Sequence, residues 1–239
     1  MADHDRASNE AKSFSRRVIS KQTACHVDLL RQIDRHLAVP FQKPIADHSR
    51  AAFNKMCAIR NAAPQAAIVF DSGCGTGDSA RQLALAFPTH LVFGIDKSAY
   101  RLSRAREATP PNCHLIRGDL IDIVRLAARA SWALDLHYIL YPNPWPKPQH
   151  LGRRWHGSPI WPDLLKLGGR LELRTNWAIY AEEFAAALRH AGVKTEAVEF
   201  IPTAPAISPF EAKYHASGHP LFRVCVDLPM GLPSGSKAR

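Results

Sequence analysis

In Asp71-Ser-Gly-Cys-Gly-Thr-Gly77, three glycines stand at alternate positions just after an apolar run and just before a helical pattern. A backbone there must turn tightly and can approach a ligand closely. Asp96 follows 19 residues beyond Gly77 and closes the next apolar run, Val92-Phe-Gly-Ile-Asp96. A carboxylate at that point can accept both hydroxyls of a ribose, so loop and acid together imply a nucleoside-containing cofactor. A dinucleotide fingerprint needs glycine at position 78, where this chain has Asp78, an acid that would repel a pyrophosphate. S-adenosylmethionine has no phosphate, and its sulfonium and ammonium groups are compatible with Asp71 and Asp78. Asp119, in Gly118-Asp-Leu120 after a third apolar run, is placed to meet an adenine amino group. The predicted cofactor set is Asp71, Gly73, Gly75, Gly77, Asp96 and Asp119; a Gly-rich turn with a purely structural role is the alternative.

A second constellation is Tyr141-Pro-Asn-Pro-Trp-Pro-Lys147, whose three alternate prolines stiffen it. It begins at the carboxyl end of the fourth apolar run, where ligand sites lie in open α/β sheets. Asn143 and Trp145 on such a loop can hold a flat base by polar contact and stacking. The plainer alternative is a connector whose tryptophan packs.

The elements that position these residues alternate. Ala66 to Phe70, Leu91 to Ile95, Cys113 to Ile116, Leu134 to Leu140 and Arg170 to Leu173 read as strands; Ser79 to Ala86, Ala99 to Glu107, Ile121 to Ala128 and Ala178 to Ala191 read as helices. The expected fold class is α/β: a Rossmann-like, mostly parallel, doubly wound sheet with helices on both faces. Thr195 to Phe200 and Leu221 to Asp227 follow without a clear helix between them and are expected to close the sheet as a hairpin-like pair, one strand antiparallel. Residues 1–60 read as a basic N-terminal arm with short helices in Val27 to Leu37 and Ser49 to Ile59, residues 61–227 as the catalytic domain, and the Pro, Gly and Ser-rich residues 228–239 as a flexible tail.

Lys and Arg number 31 against 21 Asp and Glu, a formal +10 over 239 residues that suits a polyanionic partner: RNA, DNA or an acidic membrane. No apolar run reaches the roughly 18 residues of a membrane span, and the polar N-terminus lacks a secretory pattern, so the expectation is a cytoplasmic protein. Five dispersed cysteines and 12 histidines show no metal-ligand spacing. No metal is expected.

Pro142-Asn-Pro-Trp-Pro-Lys-Pro-Gln-His-Leu-Gly-Arg-Arg154 resembles the PDPWPKxxHxxRR stretch of the bacterial tRNA (guanine-N7)-methyltransferase family. Thr175-Asn-Trp-Ala-Ile-Tyr180 is similar to that family's TDxxxY segment, and Ser208-Pro-Phe-Glu211 to its TKFE motif. The resemblance implies methyl transfer from S-adenosylmethionine to RNA, with tRNA as partner. It puts Asn143 at the catalytic position, Trp145, Thr175, Asn176 and Glu211 around the base, and Lys147, Arg153 and Arg154 on backbone phosphates, with Arg16 and Arg17 as further basic candidates. Three departures stand out: Asn143 and Asn176 replace the family's Asp, and Pro209 replaces its Lys. A carboxylate suits the donor edge of guanine and the cation formed at N7, so two amides point to a divergent paralogue. Two other readings stay open: an exocyclic-amine nucleic-acid methyltransferase using Asn143-Pro-Trp145, and a catalytically silent RNA-binding protein that retains the cofactor fold.

Overall fold

The computed structural model describes residues 15–104, 108–202 and 205–229. The first 14 residues of the expected arm, residues 105–107 of the expected Ala99–Glu107 helix and residues 230–239 of the expected tail lie outside them.

β1 (Ile68–Ser72), β2 (Leu91–Asp96), β3 (Cys113–Arg117), β4 (Leu136–Leu140) and β5 (Gly169–Thr175) are joined by crossovers into a parallel array. β7 (Phe222–Leu228) runs antiparallel to β5, and the two-residue β6 (Val198–Glu199) antiparallel to β7, giving the order β3-β2-β1-β4-β5-β7-β6. β1, β2 and β4 are buried along their whole lengths, as apolar runs covered on both faces must be.

Side chains alternate between the faces with the strand period of two. Ile68 and Phe70 join Phe93, Ile95 and Ile139 beneath α1 (Leu29–Ala38), α2 (Asp47–Ala62), α5 (Leu120–Arg129), α6 (Trp161–Lys166) and α7 (Ala178–His190). Val69, Val92 and Leu136 face the other way, against Ala80, Leu83 and Ala84 of α3 (Asp78–Ala86). Each such buried aliphatic or aromatic side chain contributes about 1.5–3 kcal/mol. The short α4 (Ala99–Leu102) follows β2, its N-terminus capped by Ser98.

Four expectations needed correction, the first being the helix expected over Ala99 to Glu107, which closes at Leu102 with a turn over residues 103–104. α8 (Pro209–Ala216) lies between β6 and β7, where no helix was expected, although Ser208 caps it by accepting from Glu211 N and Pro209 fits its first turn. α6 was also unanticipated, its helical pattern being only six residues long. Thr195 to Phe200 yields only the two residues of β6, so the antiparallel pair is a short edge strand beside a long one.

Candidate active site

Gly73, Gly75 and Gly77 adopt φ of +93°, +60° and +83°, which side-chain-bearing residues avoid. The turn they make lets Gly73 N and Cys74 N donate to Ile95 O at 2.8 and 3.2 Å, tying the loop to the end of β2. Gly75 N donates to Asp96 Oδ2 at 3.1 Å, while Asp96 Oδ1 accepts from Ser98 N and pairs with Arg101 at 3.0 Å. Gly118 N donates to Asp96 O, tying the turn after β3 to the end of β2; Asp119 caps α5 by accepting from Ile121 N. The six expected cofactor residues thus sit together at the carboxyl ends of β1, β2 and β3.

The shape and charge of this corner fit the expected cofactor. A Cβ added at Gly73 or Gly75 would meet nothing within 4 Å, so space lies open above both, whereas one at Gly77 would strike Leu115 at 2.8 Å. Gly77 therefore serves close packing. Asp71 is buried; Oδ2 accepts from the Ser79 hydroxyl and Oδ1 has no hydrogen-bond partner among the described residues. Burial pushes its carboxyl up to about 7, the Ser79 hydrogen bond opposes this, and the Asp96 charge adds to the rise. A cation nearby would favour its ionised form. Asp78 is satisfied by Arg81 and Thr76.

The loop after β4 holds two non-glycine residues in left-handed conformation, Tyr141 (φ +50°) and Trp145 (φ +46°). Such conformations cost on the order of 1–3 kcal/mol each and persist only when the surroundings enforce them. Here Tyr141 N donates to Arg174 O at 2.7 Å and its hydroxyl to Glu211 Oε2 at 2.9 Å; Trp145 O accepts from the Arg154 guanidinium at 3.3 and 3.1 Å. Between them Asn143 is exposed, its Oδ1 accepting from Trp145 N at 3.3 Å in an Asx-type turn. Lys147 and Arg153 are exposed as expected of phosphate contacts, but the Arg153 guanidinium lies 4.7 Å from the Trp145 ring centre, and His150 meets that ring edge-on at 5.4 Å. Trp145 is thus half-buried and already carries a cation over its ring.

Several expected base or phosphate contacts face inward instead. Arg154 is fully buried, paired with Glu183 and donating to Gln22 Oε1; Glu183 also accepts from His156, Gln22 and His26 N. It braces the loop and does not reach solvent phosphates. Thr175 is buried at the end of β5, where its hydroxyl accepts from Trp177 N. Glu211 is 1% exposed, and its oxygens already accept from Arg174, Tyr141 and Ile207 N, which leaves no free acceptor for a base. Asn176 is half-buried and its carboxamide nitrogen lies 3.0 Å from His219 Nδ1. The other ring nitrogen of His219 donates to Ser15 O at 2.9 Å, which leaves Nδ1 to face the Asn176 amide. Asp at 176 would instead require both ring nitrogens to donate.

Sequence reasoning missed Glu183, Arg174 and His219. For Glu183 a signal existed, since it falls on the helix face that carries Tyr180, Phe184 and Ala187; a charge on a buried stripe announces a buried partner.

This topology with a glycine loop after β1 and an acid ending β2 defines a Rossmann-like class I methyltransferase that uses S-adenosylmethionine. A family model described as "Putative methyltransferase" matches residues 65–224. A tRNA (guanine-N(7)-)-methyltransferase of Nitrosococcus oceani is 34% identical over 166 residues, 65% of this chain and 69% of that protein. One from Neisseria meningitidis serogroup C is 29% identical, covering 67% and 69%. Among solved structures, a 16S rRNA (adenine(1408)-N(1))-methyltransferase from Catenulisporales acidiphilia, solved with S-adenosylmethionine, shares the fold at TM-score 0.51 and 19% identity, over 73% of this chain and 89% of that one. The chain belongs to the tRNA (guanine-N7)-methyltransferase family. No helix among the described residues is long and apolar enough to cross a membrane, and no group of three or more His, Cys, Asp or Glu among them is arranged to hold a metal ion.

Proposed function

We propose that this protein methylates N7 of a guanine in tRNA, with Gly73, Gly75, Asp96 and Asp119 holding the nucleoside part of the cofactor and Asp71 its ammonium. The observation that carries the reading is the strained Tyr141–Trp145 loop, which puts an exposed Asn143 at the carboxyl end of β4, next to β1 and its open glycine cradle. When bound, S-adenosylmethionine supplies an electrophilic methyl group. Guanine N7 has a lone pair and no proton, so no side chain need act as a base; the protein's task is alignment and tolerance of the charge that moves onto the base. Asn143 offers an amide dipole for this, and Asn176 a second amide held by His219. Glu211 and Thr175 support the walls from behind.

The exocyclic-amine reading would use the Asn143 oxygen, which accepts one hydrogen bond from Trp145 N at 3.3 Å and keeps a second lone pair, so the identity of the methylated atom separates it from N7 transfer. A catalytically silent cofactor-binding protein would share the open glycine cradle, so product formation separates it from the enzyme. Nucleoside mass spectrometry of bulk tRNA after incubation with isotopically labelled S-adenosylmethionine tests the proposal. Labelled 7-methylguanosine is the expected product; label on an exocyclic amine, or none at all, would overturn it.

A further inference from the structure

α1 and the 3-10 turn at Pro148–Arg153 enclose an open groove of about 530 Å³, lined by His26, Arg31, Gln32 and Arg35 on one side and by Gln149 and Gly152 on the other. The structure assigns this groove to the phosphate backbone of the RNA substrate, on the side where the strand leaves the base loop. The assignment rests on the proposed RNA methylation.

Four observations support it. The far wall starts at Pro148, directly after the Asn143–Lys147 loop in the chain, so the candidate base site and the groove are built from consecutive segments. Arg31 and Arg35 are four residues apart on α1, hence on one face and about 6 Å apart along the axis, of the order of the separation between neighbouring phosphates on a strand. Both are exposed; Arg31 meets Asp28, the one carboxylate of the lining, in a pair whose arginine side chain remains 81% exposed. Guanidinium forks with glutamines and a histidine beside them suit phosphate and sugar oxygens, whereas a small-molecule pocket is mostly apolar.

The groove is also a built feature. Gln32 and His36 both reach Gly157 O, and Glu183 accepts from His26 N and Gln22 while pairing with Arg154. α1 and the segment before it are therefore tied by part-buried polar contacts to Gly157, just beyond the far wall, and to Glu183, which holds Arg154. Arg154, expected on the RNA, instead lies buried against Glu183, and the arginines that line the groove are Arg31 and Arg35 of α1. α1 lies outside residues 65–224, so the groove joins a segment the family model does not span to one that it does.

Binding of bulk tRNA across a salt series tests this. Two phosphate contacts account for about 1.4–1.8 of the slope of log affinity against log salt. Arg31→Ala with Arg35→Ala should reduce the slope by that amount and weaken binding on the order of tenfold at low salt; Arg31→Lys with Arg35→Lys should retain most of the slope. Lys55→Ala with Arg129→Ala, two exposed cations elsewhere, controls for net charge. S-adenosylmethionine affinity and melting temperature should be unchanged throughout. A slope for the groove pair no lower than for the control pair would overturn the assignment, as would failure of the wild type to bind tRNA at low salt. Methyl transfer scored in parallel separates the two claims. 7-Methylguanosine with an unaffected slope removes the groove alone, and a reduced slope without methylated guanine removes the activity alone.

Discussion

Glu183→Gln is the sharpest test of the buried cluster behind the base loop. Glu183 and Arg154 are both 0% exposed, and the carboxylate accepts from Arg154, His156, Gln22 and His26 N. Burial alone would raise its pKa, but the hydrogen bonds and charges of His156 and Arg154 outweigh this and bring it down from 4.5 to about 2. Removing one partner of a buried ion pair costs about 3–5 kcal/mol. For a domain of this size the melting temperature should drop by roughly 6–20 °C at pH 7. Because the folded pKa lies below the unfolded value, the contribution is complete above about pH 4.5 and is lost as pH falls toward 2. The wild type and Glu183→Gln should therefore converge on acidification. Thermal and urea melts at pH 7, 5 and 3 decide it. A difference under about 1 kcal/mol at pH 7, or one that does not shrink with acid, would refute the reasoning.

Other outcomes follow from the same geometry. Gly75→Val, forced to φ +60°, and Asp96→Ala, which frees Gly75 N, should each weaken S-adenosylmethionine and S-adenosylhomocysteine binding in calorimetry, while NAD should give no heat with any variant. With its carboxyl raised to about 7, Asp71 favours the unliganded fold at low pH and loses that contribution as pH climbs from about 4 to 7; a cationic ligand prefers the ionised form. Cofactor affinity should accordingly rise between pH 5 and 8 with release of a proton, seen as buffer-dependent heat, and Asp71→Asn should flatten the profile. Asn143→Asp should raise N7 turnover by up to on the order of a hundredfold, about 3 kcal/mol of charge stabilisation. A fall in single-turnover rate would show that the site is adapted to the amide.

Local rules made much of this protein legible. Alternating apolar runs dictated the parallel sheet, and the glycine spacing dictated the left-handed turn that meets Asp96 at the end of β2, because turn conformation and strand-end position depend on residues close in sequence. The rigid loop around Asn143 was likewise written in its prolines. α8 was missed although Ser208 and Pro209 marked its start, since an eight-residue helix carries too little apolar period to stand out.

What the sequence left open was the direction in which each polar side chain faces. Arg154 looks like an RNA contact beside Arg153, yet only packing brings Glu183 and His156 to it and turns it inward. Glu211 and Thr175 sit in base-site motifs, but Arg174 and Tyr141 saturate the first and the turn at Trp177 takes the second. Arg31 and Arg35 belong to an ordinary amphipathic helix until the fold lays them along the turn that leaves the base loop. Burial and pairing are set by neighbours distant in the chain, and a charged side chain becomes a brace or a contact according to whether the tertiary structure gives it a partner or leaves it to the solvent.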